Sequence, residues 1–522
     1  MPDLGTPRRI PFDPAKTRRS VFAALVDARA EFGGATVALV DGDERTLTYD
    51  EIIRGSFALG SALKRGTRRG ECVGVMLPTG MAAVLAFFAL SAFGRVPTML
   101  NFTSGLAGLK SALRTAGVKR VVTARRLVAV AGLEAVVAGL GAEIVYLEDV
   151  RKQLSLKDKL RAVTGNILPR LLAASPDPSA PAVILFTSGT EGEPKGVALS
   201  HHNILANVAQ VRDHIALYSS DVVFNPLPVF HCFGLTIGTI LPLMAGVKQV
   251  CHPTPLQPKE IVRRIRSHGA TILLSTDTFM HQYARAGDVG ELDSLRIAFC
   301  GAERLRDETR AFVRKKSSLT ILEAYGVTEA SPGVAGNQLE ASRPGTVGRL
   351  LPGMEARLEP VEGITGAGQL HLRGPNIMLG YLRPDAPGKI VPPPDGWYNT
   401  GDIVAIDDDG FIAIRGRLKR FAKIGGEAVS LAVVENIAAA LWPDNAHAAV
   451  ALPDGRKGEQ IVLVTDAKEA GRMEMVGWAQ NHGVTELALP RRVVWVEAIP
   501  ILATGKTDYV SVQKMAQGDL ES

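Results

Sequence analysis

An α/β architecture, with a smaller domain at its C-terminal end, is the fold class that this sequence predicts. Three observations point to it. Apolar runs of strand length alternate with helix-like segments through most of the chain. At 522 residues the chain is too long for one ordinary domain, and such a length suggests roughly two to four structural units. A hairpin pattern at 403–415, IVAIDDDGFIAIR, is followed at once by GRLKRFAKIGGE, dense in charge and glycine, which marks a boundary.

Taken in order, 73–77 reads as a strand leading into Met81–Phe93, the longest apolar stretch, which Arg95 and Pro97 close. That stretch is shorter than the roughly 20 residues a spanning helix needs, so it reads as a buried core helix. Residues 151–167 place Leu156, Leu160, Val163 and Ile167 at helical spacing among Arg151, Lys152, Lys157, Lys159 and Arg161. Such a basic amphipathic helix either packs on its own domain or lies on a membrane surface. The proline-rich stretches 175–181 and 384–396 read as surface loops. Between them, 182–186 and 297–300 read as strands and 307–316 as a charged helix. The hairpin turns at Asp409–Gly410, and the hundred or so residues after it suffice for a small domain.

The composition, 46% hydrophobic and 21% charged, is that of a globular protein with a large core, and the net charge of +6 mildly favours anionic partners. Cys72, Cys232, Cys251 and Cys300 include no CxxC pair. They give neither a disulfide framework nor a metal pattern, and a reduced cytoplasm is expected. Arg8, Arg9 and the early prolines lead into polar sequence rather than the apolar core of a secretory signal.

The segment 184–203, ILFTSGTEGEPKGVALSHHN, carries the densest chemistry. Gly189, Gly192 and Gly196 let backbone N–H groups turn toward an anion. Thr187, Ser188 and Thr190 add hydroxyls, and Lys195 adds a mobile positive charge. Ser200 and Asn203 are capping residues ahead of a helix. The order of Lys195 and Gly196 differs from a Walker loop, and the near miss at 500–507, PILATGKT, has proline where that loop needs glycine. The phosphates of a nucleotide fit this loop, in a use of ATP other than that of Walker-type NTPases.

Four further strings accompany it: EAYGVTE at 323–329, NTGD at 399–402, RGR at 415–417 and TGK at 504–506. In this order they resemble the adenylate-forming family of acyl-CoA synthetases, acyl–carrier-protein synthetases, luciferases and peptide-synthetase adenylation domains. The resemblance covers nearly the whole chain. It implies a large N-terminal domain of layered α/β subdomains, residues 1–416, and a small mobile α+β domain, residues 417–522. It also implies ATP and Mg2+ as cofactors. Thr187, Ser188, Gly189, Thr190 and Lys195 would hold the β- and γ-phosphates. Gly301, Ala302, Glu303, Tyr325 and Gly326 would line the adenine. Thr328 would meet the α-phosphate, Glu329 with Thr190 would bind magnesium, and Asp402 and Arg417 would serve the ribose side. Lys506 would bridge carboxylate and phosphate oxygens as charge builds. His231, in PLPVFHCFGLTIG, would stand where nucleotide and acyl sites join, unless it is a satisfied core histidine. Lys419 would be the pivot of the small domain, and Gly425 and Gly426 would pass the thiol arm.

The apolar company of His231, without a lysine or aspartate to bind an amino acid, favours a hydrocarbon-tailed acid. Finer strings, AYGVTEASP, RPGTVGRLLPGM, GPNIMLGYL, GRLKRFAKIGGEAVSL and ATGKTDYV, are similar to the ligase half of bacterial bifunctional acyl-glycerophospholipid acyltransferase/acyl–carrier-protein synthetases. None of the ten histidines has aspartate five positions on, so a stand-alone ligase is expected, without the acyltransferase half. Acyl carrier protein is the favoured acceptor and coenzyme A the alternative. Arg415, Arg417, Lys419, Arg420 and Lys423 either dock an acidic carrier protein or serve ATP and the hinge. Glu191 departs from the family, which usually has Ser or Thr there. A silent nucleotide- or acyl-binding protein is the competing class. The location expected is cytoplasmic, with peripheral contact at the inner face of the membrane as a possibility the basic helix raises.

Overall fold

The computed structural model describes residues 9–187, 194–424, 427–454, 458–482, 484–501 and 507–518. The chain forms two compact units. One runs to Ser342 and adds 350–355 and 373–398, and the other takes 343–349, 356–372 and 399 onward.

The first unit contains two sheets. In one, strands Thr320–Gly326, Ile297–Cys300, Ile272–Ser275, Val222–Asn225, Lys248–Cys251 and Val37–Val40 lie side by side in that order, all parallel. Antiparallel strands Gly333–Gly336 and Thr46–Thr48 flank them. The parallel strands are continuous apolar runs because helices such as His201–His214, Pro258–His268, Asp277–Ala286 and Asp307–Lys316 connect and cover them. The second sheet runs Glu143–Tyr146, Arg120–Thr123, Cys72–Val75, Val96–Met99 and Pro181–Thr187 in parallel, then turns antiparallel through Lys195–Ser200, Gly380–Arg383 and Ala386–Val391.

Apart from the end residues Tyr398, Arg373 and Glu355, which belong to the first unit, the second unit carries the hairpin Tyr398–Ile406 and Ile412–Arg417, joined to strands Gly368–Arg373 and Glu355–Glu359. Its C-terminal part has a sheet of Phe421–Ile424, Glu427–Ser430, His447–Asp454, Gly458–Thr465 and Arg492–Trp495. Alternation puts Ala449, Ile461 and Leu463 into a core with helices Leu431–Leu441 and Arg472–Asn481. The other face, with Val450, Val462 and Val464, packs on helix Tyr509–Gln517.

The expected helix at 81–93 forms over Met81–Ala92, buried, and Ser200 caps His201–His214 in a reciprocal box with Asn203. Two segments differ from expectation. Lys195–Ser200 is a strand, so the glycine-rich segment joins a β-hairpin; the apolar run Val197–Leu199 was too short to reveal its period. Within the proline-rich stretch 384–396, Ala386–Val391 is an edge strand, where proline's missing N–H faces no partner.

His201 is buried beside this region, and Val21 N–H donates to its Nδ1 at 3.2 Å. Burial pushes its pKa down to about 4. An unfolded histidine takes its proton near pH 6.5, so stability is fully present above that pH and falls as pH drops toward 4. Burial also lowers His202, His214 and His252. Chemical denaturation across this window is expected to show a loss of about 3 kcal/mol from His201 alone, and His201→Gln should flatten the slope.

Candidate functional site

In sheets of this kind ligands gather beyond the carboxyl ends of the parallel strands, and the predicted nucleotide residues of the first unit lie there. Gly301–Glu303 follow strand Ile297–Cys300, and the turn Thr328–Ala330 follows Thr320–Gly326. Ala302 and Ser331 both hold left-handed backbone, φ +69° and +73°, conformations that non-glycine residues keep only where their surroundings impose them. Glu303 is half-buried and accepts a hydrogen bond from Thr278 N–H at 3.1 Å, and its burial raises the carboxyl pKa.

Glu329 is only 7% exposed. A buried carboxylate requires donors, and the Tyr381 hydroxyl supplies one at 2.5 Å to Oε1. Tyr398 is hydrogen-bonded to Tyr381, and burial pushes both phenol pKa values above the usual range, with the Glu329 charge adding to the effect. Lys195 Nζ lies 5.7 Å from the centre of the Tyr381 ring, and Thr187 pairs with Lys195 at the base of the hairpin. Thus Lys195 and Glu329 come together around Tyr381, and Thr187 is the strand partner of Lys195. Asn376 fixes the turn that carries Thr328 and Glu329. Its side chain donates to the carbonyls of Ala330 at 2.7 Å and Gly333 at 2.9 Å, while its own carbonyl accepts from the Ser331 hydroxyl at 2.8 Å.

Tyr381, Tyr398 and Asn376 were missed in the sequence. Tyr381 and Asn376 lie inside the string GPNIMLGYL and Tyr398 immediately precedes NTGD, but nothing in their residue types signals a role. Ser188, Gly189, Thr190, Glu191, Gly425, Gly426 and Lys506 lie outside the described residues. His231 is half-buried ahead of a π-helical segment, Phe233–Ile240, with Phe230 edge-on at 4.9 Å.

That segment contributes Phe233 and Ile237 to a cleft of about 110 Å3. Val223, Ile272 and Phe299 form its walls, and Gly301, Ala302, Tyr325 and Gly326 lie along it. Among the described residues, the lining contains no Asp, Glu, Lys or Arg. His214, also in the lining, bonds through Nε2 to the Gly336 carbonyl at 2.8 Å, and burial lowers its pKa.

In the second unit, Asp402 and Arg417 face each other across the hairpin. Arg417 Nε donates to Asp402 Oδ1 at 2.9 Å, with Asp402 buried and Arg417 exposed. Lys419 is exposed on the single turn Leu418–Arg420, and Arg420 pairs with Glu435 at 2.7 Å. Two of the five predicted docking cations therefore already serve carboxylates of their own unit.

A family model described as "AMP-binding enzyme" matches residues 26–382. Among curated proteins, the chain is 26% identical to a long-chain-fatty-acid–CoA ligase of Salmonella typhimurium, with 91% of each sequence covered. It is 29% identical to 4-coumarate–CoA ligase 5 of Oryza sativa subsp. japonica, covering 97% of this chain and 94% of that one. Among solved structures, ATP-bound MatB from Rhodopseudomonas palustris superposes with a TM-score of 0.83 at 24% identity, covering 97% of this chain and all of that one. Bacillus subtilis o-succinylbenzoate-CoA synthetase in complex with its acyl-adenylate gives 0.81 at 20% identity, covering 94% and 97%. These structural likenesses establish the fold.

The Glu329–Tyr381 contact yields a direct test. Tyr381→Phe removes a donor from a buried carboxylate and is expected to cost about 2 kcal/mol in denaturant unfolding. An unchanged midpoint would mean that Glu329 does not depend on this hydroxyl.

Proposed function

The chain belongs to the AMP-binding enzyme family, and from that premise we propose that it activates a medium- to long-chain fatty acid with ATP and passes the acyl group to a phosphopantetheine thiol. The observation that carries the fatty-acid reading is the uncharged cleft beside Gly301, Ala302 and Tyr325. A hydrocarbon tail is stabilised there by burial, whereas a second carboxylate or an ammonium group would find no Asp, Glu, Lys or Arg among the described lining residues.

In this reading the acid's carboxylate oxygen attacks the α-phosphorus of ATP. The bond from that phosphorus to the bridging oxygen breaks, and pyrophosphate leaves. The thiol then displaces AMP from the acyl carbon and gives up its proton. Negative charge accumulates in the first step, so positioned cations and hydrogen-bond donors do most of the work. Thr187, Lys195 and the loop residues Ser188, Gly189 and Thr190 bind the β- and γ-phosphates. Gly301–Glu303, Tyr325 and Gly326 receive the adenine, and Thr328 orients the α-phosphate. Glu329 and Thr190 would hold Mg2+, which screens phosphate charge when bound. A single buried carboxylate suits an ion whose remaining ligands are water and phosphate. Asp402 accepts the ribose hydroxyls with Arg417 beside it, His231 marks the passage from nucleotide to acyl site, and Lys506 stabilises the charge that develops.

Residues 417–522 act as the mobile domain in this scheme, with Lys419 as pivot and Gly425 and Gly426 leaving room for the thiol arm. Coenzyme A is the acceptor favoured by the names of the curated relatives. Acyl carrier protein is the second reading, supported by the finer motif strings and by exposed Arg415, Lys419 and Lys423.

The deciding experiment supplies Mg2+, ATP and labelled palmitate with either coenzyme A or holo acyl carrier protein. Pyrophosphate release and a thioester on one acceptor are expected; no pyrophosphate with fatty acids of any length would sink the proposal. Lys506→Ala should slow ATP–pyrophosphate exchange by about 100-fold or more. Lys419→Pro should keep that exchange and lose thioester formation, and equal loss of both would count against the pivot.

Chain length offers an independent test. Ile272 opens its strand, about 13 Å from the level of Gly301 at the usual rise per residue. Ile272→Phe is therefore expected to lower kcat/KM for palmitate by about tenfold or more while sparing short acids. Equal effects on long and short acids would place the tail elsewhere.

A further inference from the structure

Helix Leu156–Ile167 is amphipathic in the inverse sense. Its buried positions are Asp158, Ala162 and Gly165, while its large aliphatic side chains point outward. Leu156 is 83% exposed, Leu160 64%, Val163 53% and Ile167 67%, and Leu168 and Leu171 continue the exposed row.

The helix cannot roll to hide them. Both carboxylate oxygens of Asp158, a residue only 1% exposed, accept from Arg65 at 2.9 Å. Burial alone would raise the Asp158 pKa, but its hydrogen bonds from Ser155 and Arg65 hold it well below the usual carboxylate range. Gly165 rests against the Phe57 ring, where a Cβ would come within 2.3 Å. A rotation that buried the leucines would expel this ion pair and force large side chains into a contact that only glycine fits.

The charge that residues 151–172 themselves turn outward has one sign. Arg151, Lys152, Lys157, Lys159 and Arg170 are exposed, and Arg170 pairs with Asp27. From 151 to 172 the only carboxylate is the buried Asp158. Just upstream, Asp149 pairs with Arg125, and Glu148 is half-buried.

We propose that helix Leu156–Ile167 with the turn Pro169–Leu172 is a docking surface for an anionic lipid bilayer. The aliphatic row enters the interface, and the flanking cations meet lipid phosphates. A convex row of leucine, valine and isoleucine needs no complementary groove when its partner is fluid hydrocarbon. An acidic protein would answer the cations and leave the row's centre without a designed fit.

The test uses the full chain and sedimentation with vesicles of phosphatidylcholine, alone or mixed with phosphatidylglycerol. Binding to the mixed vesicles is expected, weakening as salt rises. The double variant Leu156→Glu/Leu160→Glu should lower the partition by about tenfold or more, and Lys157→Glu/Lys159→Glu should do the same while reducing the salt dependence. All four positions are exposed, so thermal unfolding and acid activation should match the parent chain. Three results would overturn the proposal: no binding to mixed vesicles, undiminished binding by either double variant, or a loss confined to self-association or to holo acyl carrier protein binding.

Discussion

The antiparallel pairing of Gly380–Arg383 with Lys195–Ser200 is the constraint on which the candidate site depends. Its register places Tyr381 opposite Val197 and Leu382 opposite Gly196, so a residue far along the chain arrives beside the base of the glycine-rich segment. There the Tyr381 hydroxyl stabilises the Glu329 carboxylate, and its ring lies near Lys195. The strand can begin only at glycine. Gly380 has φ +151°, and a Cβ on it would come within 2.2 Å of the Val391 carbonyl oxygen. Any other residue would push the neighbouring edge strand away, and with it the tyrosine that satisfies a buried charge.

Much of the fold was legible in the sequence because its signals are local. The strand at 297–300 and the helix at 307–316 appear with the bounds expected, and the core helix ends one residue early, at Ala92. The hairpin of Tyr398–Ile406 and Ile412–Arg417 encloses the pattern read at 403–415. What escaped was set by pairing at a distance. A short run such as Val197–Leu199 has the same composition in a strand or a helix, and only its partners decide. Tyr381 and Asn376 carry no intrinsic signal, since a tyrosine or asparagine becomes a positioning residue only through what folding sets beside it. The pair Asp402–Arg417 is a partial exception. Both residues were singled out separately, and their contact follows from the hairpin register.

The amphipathic helix gives the opposite lesson. Its period was read correctly and forms Leu156–Ile167, but periodicity cannot say which face turns inward. The usual reading, apolar inside, fails because the inward face is selected by close contact. Gly165 permits the approach to Phe57, Ala162 fills little space, and Asp158 finds Arg65. An ion pair that breaks on rotation, together with a glycine contact that tolerates no larger group, outweighs the burial of four exposed aliphatic residues.

The cleft follows from similar reasoning about what a protein leaves unfilled. Interiors are normally packed to the density of organic crystals, and an unfilled apolar cavity costs stability in proportion to its volume. A cleft of about 110 Å3 lined by Val223, Ile237, Ile272 and Phe299 is therefore space that packing alone does not justify. The π-helical Phe233–Ile240 adds to it, since wide turns of that kind are intrinsically unfavourable and concentrate at functional sites. Its geometry is held from within. The buried Asn225 side chain donates to the Gly234 carbonyl at 3.0 Å, and the Thr239 hydroxyl donates to the same oxygen at 2.9 Å. These bonds fix the segment that presents Phe233 and Ile237 to the cleft. An apolar tail entering that space, as proposed, would supply the missing contacts and offset the stability withheld from the unfilled cleft.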